Sequence, residues 1–277
     1  MNVLVLRSYG DYIVLLNAIK YSTQTQSIKI IVSKHLKPLH EALHLDLPNN
    51  YTFEFINFNI QRGILGIFTN KYFLNFNSVK EIVTLRKYLK NKKNSSFYLE
   101  QDKRIRFLKL ITGSHLQAIY HNNNIYESFE NFFASKNTSK LNYWNKDIQE
   151  PKIIIFPDSR KKDKKINKKT LLHLLELLNV KNIYPTIASF NQNLVLESRK
   201  GNPISYHNFE ELVALIQMAD FIISSDSLPI HLSEILHKPH WTLYNQKINN
   251  NWLTPSSKHM KFYSTFNEIN SIQLIFN

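Results

Sequence analysis

The segment Ala219–Tyr244 reads ADFIISSDSLPIHLSEILHKPHWTLY and contains the pattern that predicts the fold. An apolar run ends in the polar residues Ser224–Ser227, an amphipathic segment follows, and another apolar run comes after Lys238-Pro239. Strand, polar turn, helix, turn and strand in this order are typical of a parallel αβ unit. Ligands of such units bind beside the carboxyl ends of the strands, which is where Ser224–Ser227 falls.

The polar turn is also suited to hold an anion. It would cap the helix that follows, whose free N–H groups and dipole favour a negative group such as a phosphate. Ser227 could donate a hydroxyl hydrogen bond there, while Asp226 and His231 would flank the phosphate. An ordinary helix cap followed by a surface histidine fits the same spacing, so the pattern alone leaves both interpretations open.

Size and composition predict a folded protein with room for two domains. The chain has 277 residues, of which 43% are hydrophobic, enough for a large buried core. The absence of cysteine excludes disulfides and cysteine-ligated metal and agrees with a cytoplasmic location. No apolar run reaches the ~18 residues that a membrane span needs, and residues 1–12 are typical of a first strand and not of a signal peptide.

The net charge of +14 at pH 7 predicts a polyanionic partner. Nucleic acid, acidic lipid and phosphorylated glycan all satisfy it, although part of the charge reflects a Lys- and Asn-rich composition on solvated surfaces. The excess is larger in residues 1–150, with 20 basic against 11 acidic side chains, than in 151–277, with 15 against 10. Nucleic-acid binding has no recognition motif behind it and rests on charge alone.

Alternating strands and helices recur in both halves of the chain. Asn2–Leu6 is a buried-type strand, Arg7–Asp11 a turn that contains a glycine, and Tyr12–Tyr21 an apolar-periodic helix. Such a turn is typical of Rossmann-like domains, although the sequence has neither a G-x-G-x-x-G fingerprint nor a Walker loop. A polar segment ends at Pro151, so we expect two Rossmann-like domains, 1–148 and 149–277, that face each other across a cleft.

Further elements follow from the same periodicities. The remaining strands are predicted at 28–32, 52–56, 97–99, 116–120, 152–156, 181–188, 221–223 and 241–244. The remaining helices are predicted at 37–45, 79–89, 100–112, 125–135, 170–178, 208–218, 229–236 and 266–275.

Three stretches share patterns with one known family. Asp226–Leu232 (DSLPIHL) resembles D-[ST]-G-x-x-H-L with Leu228 in place of the glycine, and the similarity extends over Asn208–Pro239. Arg7–Asp11 resembles R-x-x-x-x-G-D with two residues fewer, and Pro157–Lys165 resembles a P-x-[ST]-R turn followed by a K-x-W-P step without its Trp and Pro. These are elements of glycosyltransferase family 9, the heptosyltransferases of lipopolysaccharide core synthesis.

The resemblance implies a GT-B architecture and an inverting, metal-independent glycosyltransferase without a cofactor. The donor would be a nucleotide-diphospho-sugar, typically ADP-heptose, on the second domain. The acceptor would be a lipopolysaccharide core or another phosphorylated glycan or glycolipid on the first domain. The enzyme would be cytoplasmic, with peripheral attachment to the anionic inner-membrane surface as a further expectation, and nucleic acid would not be its partner.

The resemblance also assigns roles to residues. Asp11 would be the general base that deprotonates the acceptor hydroxyl, although a carboxylate there also simply favours the helix dipole. Lys164, with Lys165 as its alternative, would neutralise charge on the departing nucleoside diphosphate. The other donor-binding residues would be Arg160, His207, Asp226, Ser227, Leu228 and His231. The acceptor-binding residues would be Arg7, Lys103 and Arg104.

The departures from the family pattern leave a second hypothesis open. Glycine lets a backbone approach a phosphate closely and adopt a positive φ, and Leu228 does neither easily. With the Trp and Pro also missing, the chain could be a GT-B scaffold that binds a glycan or a partner protein without catalysis.

Overall fold

The computed structural model describes residues 1–5, 8–57, 76–90, 96–100, 116–119, 124–135, 144–145, 148–190 and 201–276. The chain divides into two units, Met1–Asn137 and Thr138–Asn277, each built on a parallel sheet. The predicted boundary after residue 148 lies C-terminal to this division. No helix in the described part of the chain is long and apolar enough to cross a membrane.

The first unit has a parallel sheet with helices between its strands. Its described strands are β1 (Asn2–Val5), β2 (Ile28–Ser33), β3 (Tyr51–Ile56), β4 (Phe97–Glu100) and β5 (Leu116–Ile119). Its described helices are α1 (Tyr9–Lys20), α2 (Lys37–Leu43), α3 (Phe76–Lys90) and α4 (Ile125–Phe132). The strands pair in the order β3-β2-β1-β4-β5. All of the strands predicted for this half are confirmed, and the helix predicted at 100–112 lies outside the described residues from 101 onward.

The second unit repeats this architecture. Its described strands are β6 (Ile153–Phe156), β7 (Thr186–Phe190), β8 (Asn202–Tyr206), β9 (Phe221–Ser225), β10 (His240–Tyr244) and β11 (Tyr263–Thr265). Its described helices are α5 (Lys168–Asn179), α6 (Phe209–Met218), α7 (Leu228–Ile235) and α8 (Pro255–Met260). Every residue of β6, β9 and β10 is buried, as expected of strands covered on both faces.

The sequence-based prediction of this unit was incomplete. It missed β8 and β11, and the strand predicted at 181–188 begins only at Thr186, after Pro185. The predicted helix at 266–275 is a 3₁₀ helix, Phe266–Ile275. The helices predicted at 170–178, 208–218 and 229–236 are confirmed within two residues at each end.

The strand order reverses beside the central strand of each sheet. In the second unit the order is β11-β10-β9-β6-β7-β8, so the chain builds outward from β6 in one direction and returns to build from β9 in the other. Connections that leave such a point in opposite directions open a crevice at the carboxyl edge, where ligands of open α/β sheets bind. The predicted donor motifs follow β6 and β9, and Asp11 follows β1 at the corresponding reversal of the first sheet.

A buried polar network fixes helix α7 to β10 and α8. The Nδ1–H group of His240 donates to the carbonyl of Lys238 (2.8 Å), so Nε2 accepts a hydrogen bond from the Thr254 hydroxyl (2.8 Å). Glu234 of α7 accepts a hydrogen bond from the Ser256 hydroxyl in α8 (3.0 Å). Because the imidazole is buried within this network, its neutral form is built into the folded structure.

We predict that the second unit loses stability as the pH falls from about 6.5 towards 4. Burial lowers the pKa of His240 from 6.5 to about 4, so over this range the unfolded chain binds a proton that the folded chain does not. For this side chain alone the loss of unfolding free energy is on the order of 2 kcal/mol at pH 5. Tryptophan fluorescence during urea unfolding measures it, because Trp144, Trp241 and Trp252, the three tryptophans of the chain, all belong to the second unit.

The variant His240→Gln tests this assignment. It should reduce the dependence of the unfolding free energy on pH between 6.5 and 4, whatever it does at neutral pH. A slope remains because burial also lowers the pKa of His231, in the same unit, to about 4. His259→Gln, at an exposed position, should keep the wild-type slope. An unchanged slope in His240→Gln would show that another group is responsible.

Candidate active site

Serine hydroxyls hold the turn that follows β9. Ser224 Oγ donates to the carbonyl of Phe156 (3.0 Å), which ties β9 to β6 at the strand reversal. Ser227 is the N-cap residue of α7, but its hydroxyl donates back to the carbonyl of Ser225 (3.1 Å) and does not cap the helix. The N-terminus of α7 is therefore left without a side-chain cap, an arrangement that a bound anion can complete.

An ion pair connects this turn with the turn after β6. Lys164 Nζ donates to Asp226 Oδ2 (2.5 Å) and to the carbonyl of the same residue (3.1 Å). The Asp226 side chain is only 4% exposed and that of Lys164 is 30% exposed. In the described part of the chain the Asp226 carboxylate accepts its hydrogen bond from Lys164 and none from the backbone. The pair brings the two predicted donor motifs together.

His231 lies beside this pair, one turn into α7. Its side chain is 4% exposed, which makes the surface-histidine interpretation wrong. Its Nε2 atom lies 3.9 Å from Asp226 Oδ1, and its ring packs edge-on against Trp252 with ring centroids 5.8 Å apart. Burial lowers the pKa of His231 to about 4, although the charge of Asp226 opposes the shift. At neutral pH the imidazole is uncharged, so the positive charge of the cluster resides on Lys164.

Leu228 occupies the first position of α7 without backbone strain. Among the described residues other than glycine, those with a positive φ are His44, Ala134, Asn182, His237 and Lys261, so Leu228 is not one of them. The conformational freedom of the family glycine is therefore not needed at this position. The side chain is half-buried at the start of the helix.

The other predicted donor residues are less tightly held. Lys165 Nζ pairs with Asp158 Oδ1 (2.7 Å) and not with Asp226. Arg160 is exposed in the turn after β6. His207 is exposed after β8, and its backbone N–H donates to Glu211 Oε2 (2.7 Å). The predicted acceptor residues Arg7, Lys103 and Arg104 lie outside the described residues.

Asp11 lies in the first turn of α1, directly after β1. Its backbone N–H donates to the hydroxyl of Ser8, the N-cap residue (3.3 Å). Its side chain is only 6% exposed, and the helix is buried from Asp11 to Ile19. The helix dipole favours a carboxylate at this end, so the charge is stabilised at the carboxyl edge of the first sheet.

Buried polar atoms without a hydrogen-bond partner mark the carboxyl edge of the second sheet. Among the described residues such atoms occur on four side chains, and three of them lie at or just beyond the ends of strands: Asp158 Oδ2 after β6, Ser189 Oγ in β7 and the Tyr244 hydroxyl in β10. Unpaired buried polar groups are costly, so their position at one edge of the sheet makes this edge a candidate binding site. The sequence pattern predicts Tyr244 only as part of an apolar strand. The described residues contain no group of His, Asp or Glu side chains that could hold a metal ion.

Comparison with known proteins agrees with this geometry. Residues 116–273, more than half of the chain, match glycosyltransferase family 9 (heptosyltransferase). The chain belongs to glycosyltransferase family 9. It is therefore a glycosyltransferase that uses a nucleotide-sugar donor. No curated protein matches the sequence.

Solved structures of family 9 enzymes share the fold over nearly the whole chain. Escherichia coli heptosyltransferase WaaC with ADP is 14% identical, with a TM-score of 0.64 over 99% of this chain and 98% of that one. The family 9 glycosyltransferase of Veillonella parvula DSM 2008 is 12% identical, with a TM-score of 0.62 over 95% and 84%. E. coli ADP-heptose lipopolysaccharide heptosyltransferase II is 12% identical, with a TM-score of 0.59 over 99% and 96%. The expected GT-B fold is confirmed.

We predict that Lys164→Ala destabilises the second unit of this glycosyltransferase. The substitution leaves the buried charge of Asp226 without its cation, and because Lys164 is partly exposed we expect a loss of about 1–2 kcal/mol. Urea unfolding followed by tryptophan fluorescence measures the change. The double variant Lys164→Ala/Asp226→Asn should recover most of it, since no buried charge then remains.

Lys165→Ala is the matched control for this prediction. Its partner Asp158 is 17% exposed and Lys165 itself 42%, so solvent screens the pair and the variant should lose less stability. Equal losses in the two single variants would contradict the assignment of a buried, interdependent pair to Lys164 and Asp226.

Proposed function

We propose that this enzyme transfers a heptose from ADP-heptose to a lipopolysaccharide core or another surface glycan, with inversion at the anomeric carbon and without a metal ion. The observation that carries the proposal is the cluster of Lys164, Asp226 and His231 beside the uncapped N-terminus of α7. Two similar structures, WaaC with ADP and ADP-heptose heptosyltransferase II, support ADP as the nucleoside diphosphate.

The donor diphosphate would lie at the N-terminus of α7. The helix dipole and the uncapped N-terminus of α7 favour an anion there, and Lys164 reaches this turn through its contacts with Asp226. Because His231 is neutral at pH 7, it can contribute a hydrogen bond but no charge. As the bond between the sugar and the diphosphate breaks, negative charge grows on the leaving oxygen, and the ammonium and the helix would stabilise it.

Asp11 would be the general base on the acceptor side. The acceptor hydroxyl oxygen attacks the anomeric carbon from the face opposite the diphosphate and passes its proton to the Asp11 carboxylate. The anomeric carbon–oxygen bond to the diphosphate breaks, and its electron pair stays on the nucleoside diphosphate. A single displacement of this kind inverts the configuration.

A phosphorylated acceptor fits the charge of the chain. The net charge of +14 would attract a polyanionic glycan or glycolipid, and Arg7, Lys103 and Arg104 are the side chains proposed to hold it. The same positive charge favours a location in the cytoplasm, at the anionic surface of the inner membrane. Nucleic acid is not proposed as a partner, because the net charge is the single feature that would favour it.

A thermal-shift panel of ADP, UDP, GDP and CDP at millimolar concentration tests the donor site. Since a ligand at roughly 100 times its dissociation constant stabilises by about 2.7 kcal/mol, we expect ADP to raise the unfolding temperature by a few degrees. The other three should shift it less. A selective shift with another nucleotide would replace ADP in the proposal, and no shift with any of them would favour the non-catalytic scaffold.

Asp11→Asn should abolish transfer while leaving donor binding intact. Removing a general base lowers the rate by roughly 10²–10⁴-fold, whereas the residues proposed for ADP lie in the other unit. Sugar transfer and the ADP thermal shift are measured on the same preparation. Asp46→Asn, at an exposed position of the same unit, is the control and should transfer normally. Normal transfer by Asp11→Asn would show that the base is another group.

A further inference from the structure

Asp226 holds the ammonium of Lys164 through two hydrogen bonds. The ammonium donates to the carboxylate of Asp226 at 2.5 Å and to the carbonyl of Asp226 at 3.1 Å. The proposed function, on which this inference rests, requires the same ammonium at the donor diphosphate. Because Asp226 accepts from two of the three N–H groups of the ammonium, a diphosphate that binds Lys164 through more than the third one competes with Asp226 for it.

Asp226 cannot easily lose this cation. Its carboxylate is 4% exposed, and a buried charge whose partner is removed is strongly destabilising. The neighbouring His231 Nε2 lies 3.9 Å from the other carboxylate oxygen, Oδ1, which is beyond hydrogen-bond distance. If Asp226 Oδ2 gained another hydrogen-bond donor, the free-energy cost of moving the Lys164 ammonium to the diphosphate would fall.

Tyr244 has the properties of that second donor. Its side chain is 4% exposed, and its hydroxyl is buried without a hydrogen-bond partner in the part of the chain that the structure describes. It is the last residue of β10, and the backbone N–H of Asp226 donates to the carbonyl of the preceding residue, Leu243 (3.2 Å). Tyr244 and Asp226 are therefore neighbours at the carboxyl edge of adjacent strands.

The electrostatics keep this hydroxyl protonated. Burial is the largest cause of a raised pKa for Tyr244, and the negative charge of Asp226 raises it further. The effect of Asp226 means that its carboxylate acts on the phenol, so a proton on the hydroxyl is available for a hydrogen bond to Asp226 throughout the physiological range.

We infer that the hydroxyl of Tyr244 replaces Lys164 as the hydrogen-bond donor to Asp226 when the donor diphosphate takes the ammonium. Tyr244 is thus a positioning residue that acts through Asp226 and does not touch the diphosphate. No covalent bond is made or broken in this exchange, and the hydroxyl proton stays on the Tyr244 oxygen. The hydrogen bond to Asp226 would offset the cost of burying the Tyr244 hydroxyl unpaired.

A double-mutant cycle between Tyr244 and Asp226 tests the exchange. Calorimetric titration with ADP and with inorganic pyrophosphate is performed on the full chain as wild type, Tyr244→Phe, Asp226→Asn and the double variant. We expect Tyr244→Phe to weaken both ligands by about ten-fold, the range of a hydrogen bond to a charged group. In the Asp226→Asn background the same substitution should change neither affinity, because no charge then needs the hydroxyl.

Two controls separate this effect from a structural one. Without ligand, Tyr244→Phe should unfold at the wild-type temperature or above, because no hydrogen bond of the free protein is lost. Tyr184→Phe, which removes a hydroxyl from a side chain that is 60% exposed in the same unit, should leave both affinities unchanged.

Each contrary outcome overturns the inference. Unchanged affinities in Tyr244→Phe show that the hydroxyl plays no part, and an equal loss in both backgrounds shows that it contacts the ligand directly. A lower unfolding temperature of Tyr244→Phe shows that the hydroxyl already has a partner in the free protein. If the wild type binds neither ADP nor pyrophosphate, the proposed function fails together with this inference. If the wild type binds them and only the double-mutant cycle fails, this inference alone is overturned.

Discussion

The ion pair between Lys164 and Asp226 is the contact on which the second unit's carboxyl edge depends. It joins the connections that leave the sheet on either side of the strand reversal, and it neutralises a carboxylate that is 4% exposed. Lys164 is held there by its own loop, because Ile166 returns to the core and its N–H donates to the carbonyl of Pro157 (2.9 Å). Burial of one isoleucine thus stabilises the position of a cation two residues away, and the cation in turn makes a buried charge tolerable.

The parallel sheets explain why the polar groups lie where they do. Strands β6, β9 and β10 are buried throughout, so they offer no polar surface except at their ends. Asp226 and Tyr244 are placed at the carboxyl edge because one follows β9 and the other ends β10. Asp11 reaches the corresponding edge of the first sheet by the same rule, after β1. Within the second unit, the connection after β9 and the end of β10 therefore place Asp226 and Tyr244 at the same edge of the sheet.

The elements that the sequence predicted are those whose apolar composition indicates that they are buried. Continuous apolar runs indicated β6, β9 and β10. Strand β8 was not predicted, because it is a half-exposed edge strand that contains Pro203. Motif spacing found Asp226 and His231, but not the burial of His231 or the pairing of Lys164, since both depend on tertiary contacts. Tyr244 could not be found, because an apolar strand pattern carries no sign that a tyrosine hydroxyl at its end lacks a partner.

As evidence about the site, the residues that match the family pattern count for more than the departures from it. Leu228 starts α7 with a negative φ, so the lost glycine leaves no strain behind, and Ser227 leaves the helix end uncapped. A scaffold that only binds a glycan gains nothing from a buried aspartate, a neutral buried histidine and a buried hydroxyl without a partner. The unpartnered hydroxyl of Tyr244 and the buried charge of Asp226 carry a desolvation cost that apolar replacements would remove. Their clustering at the strand reversal is expected where stability is given up for function, and it favours a working donor site over a degenerate one.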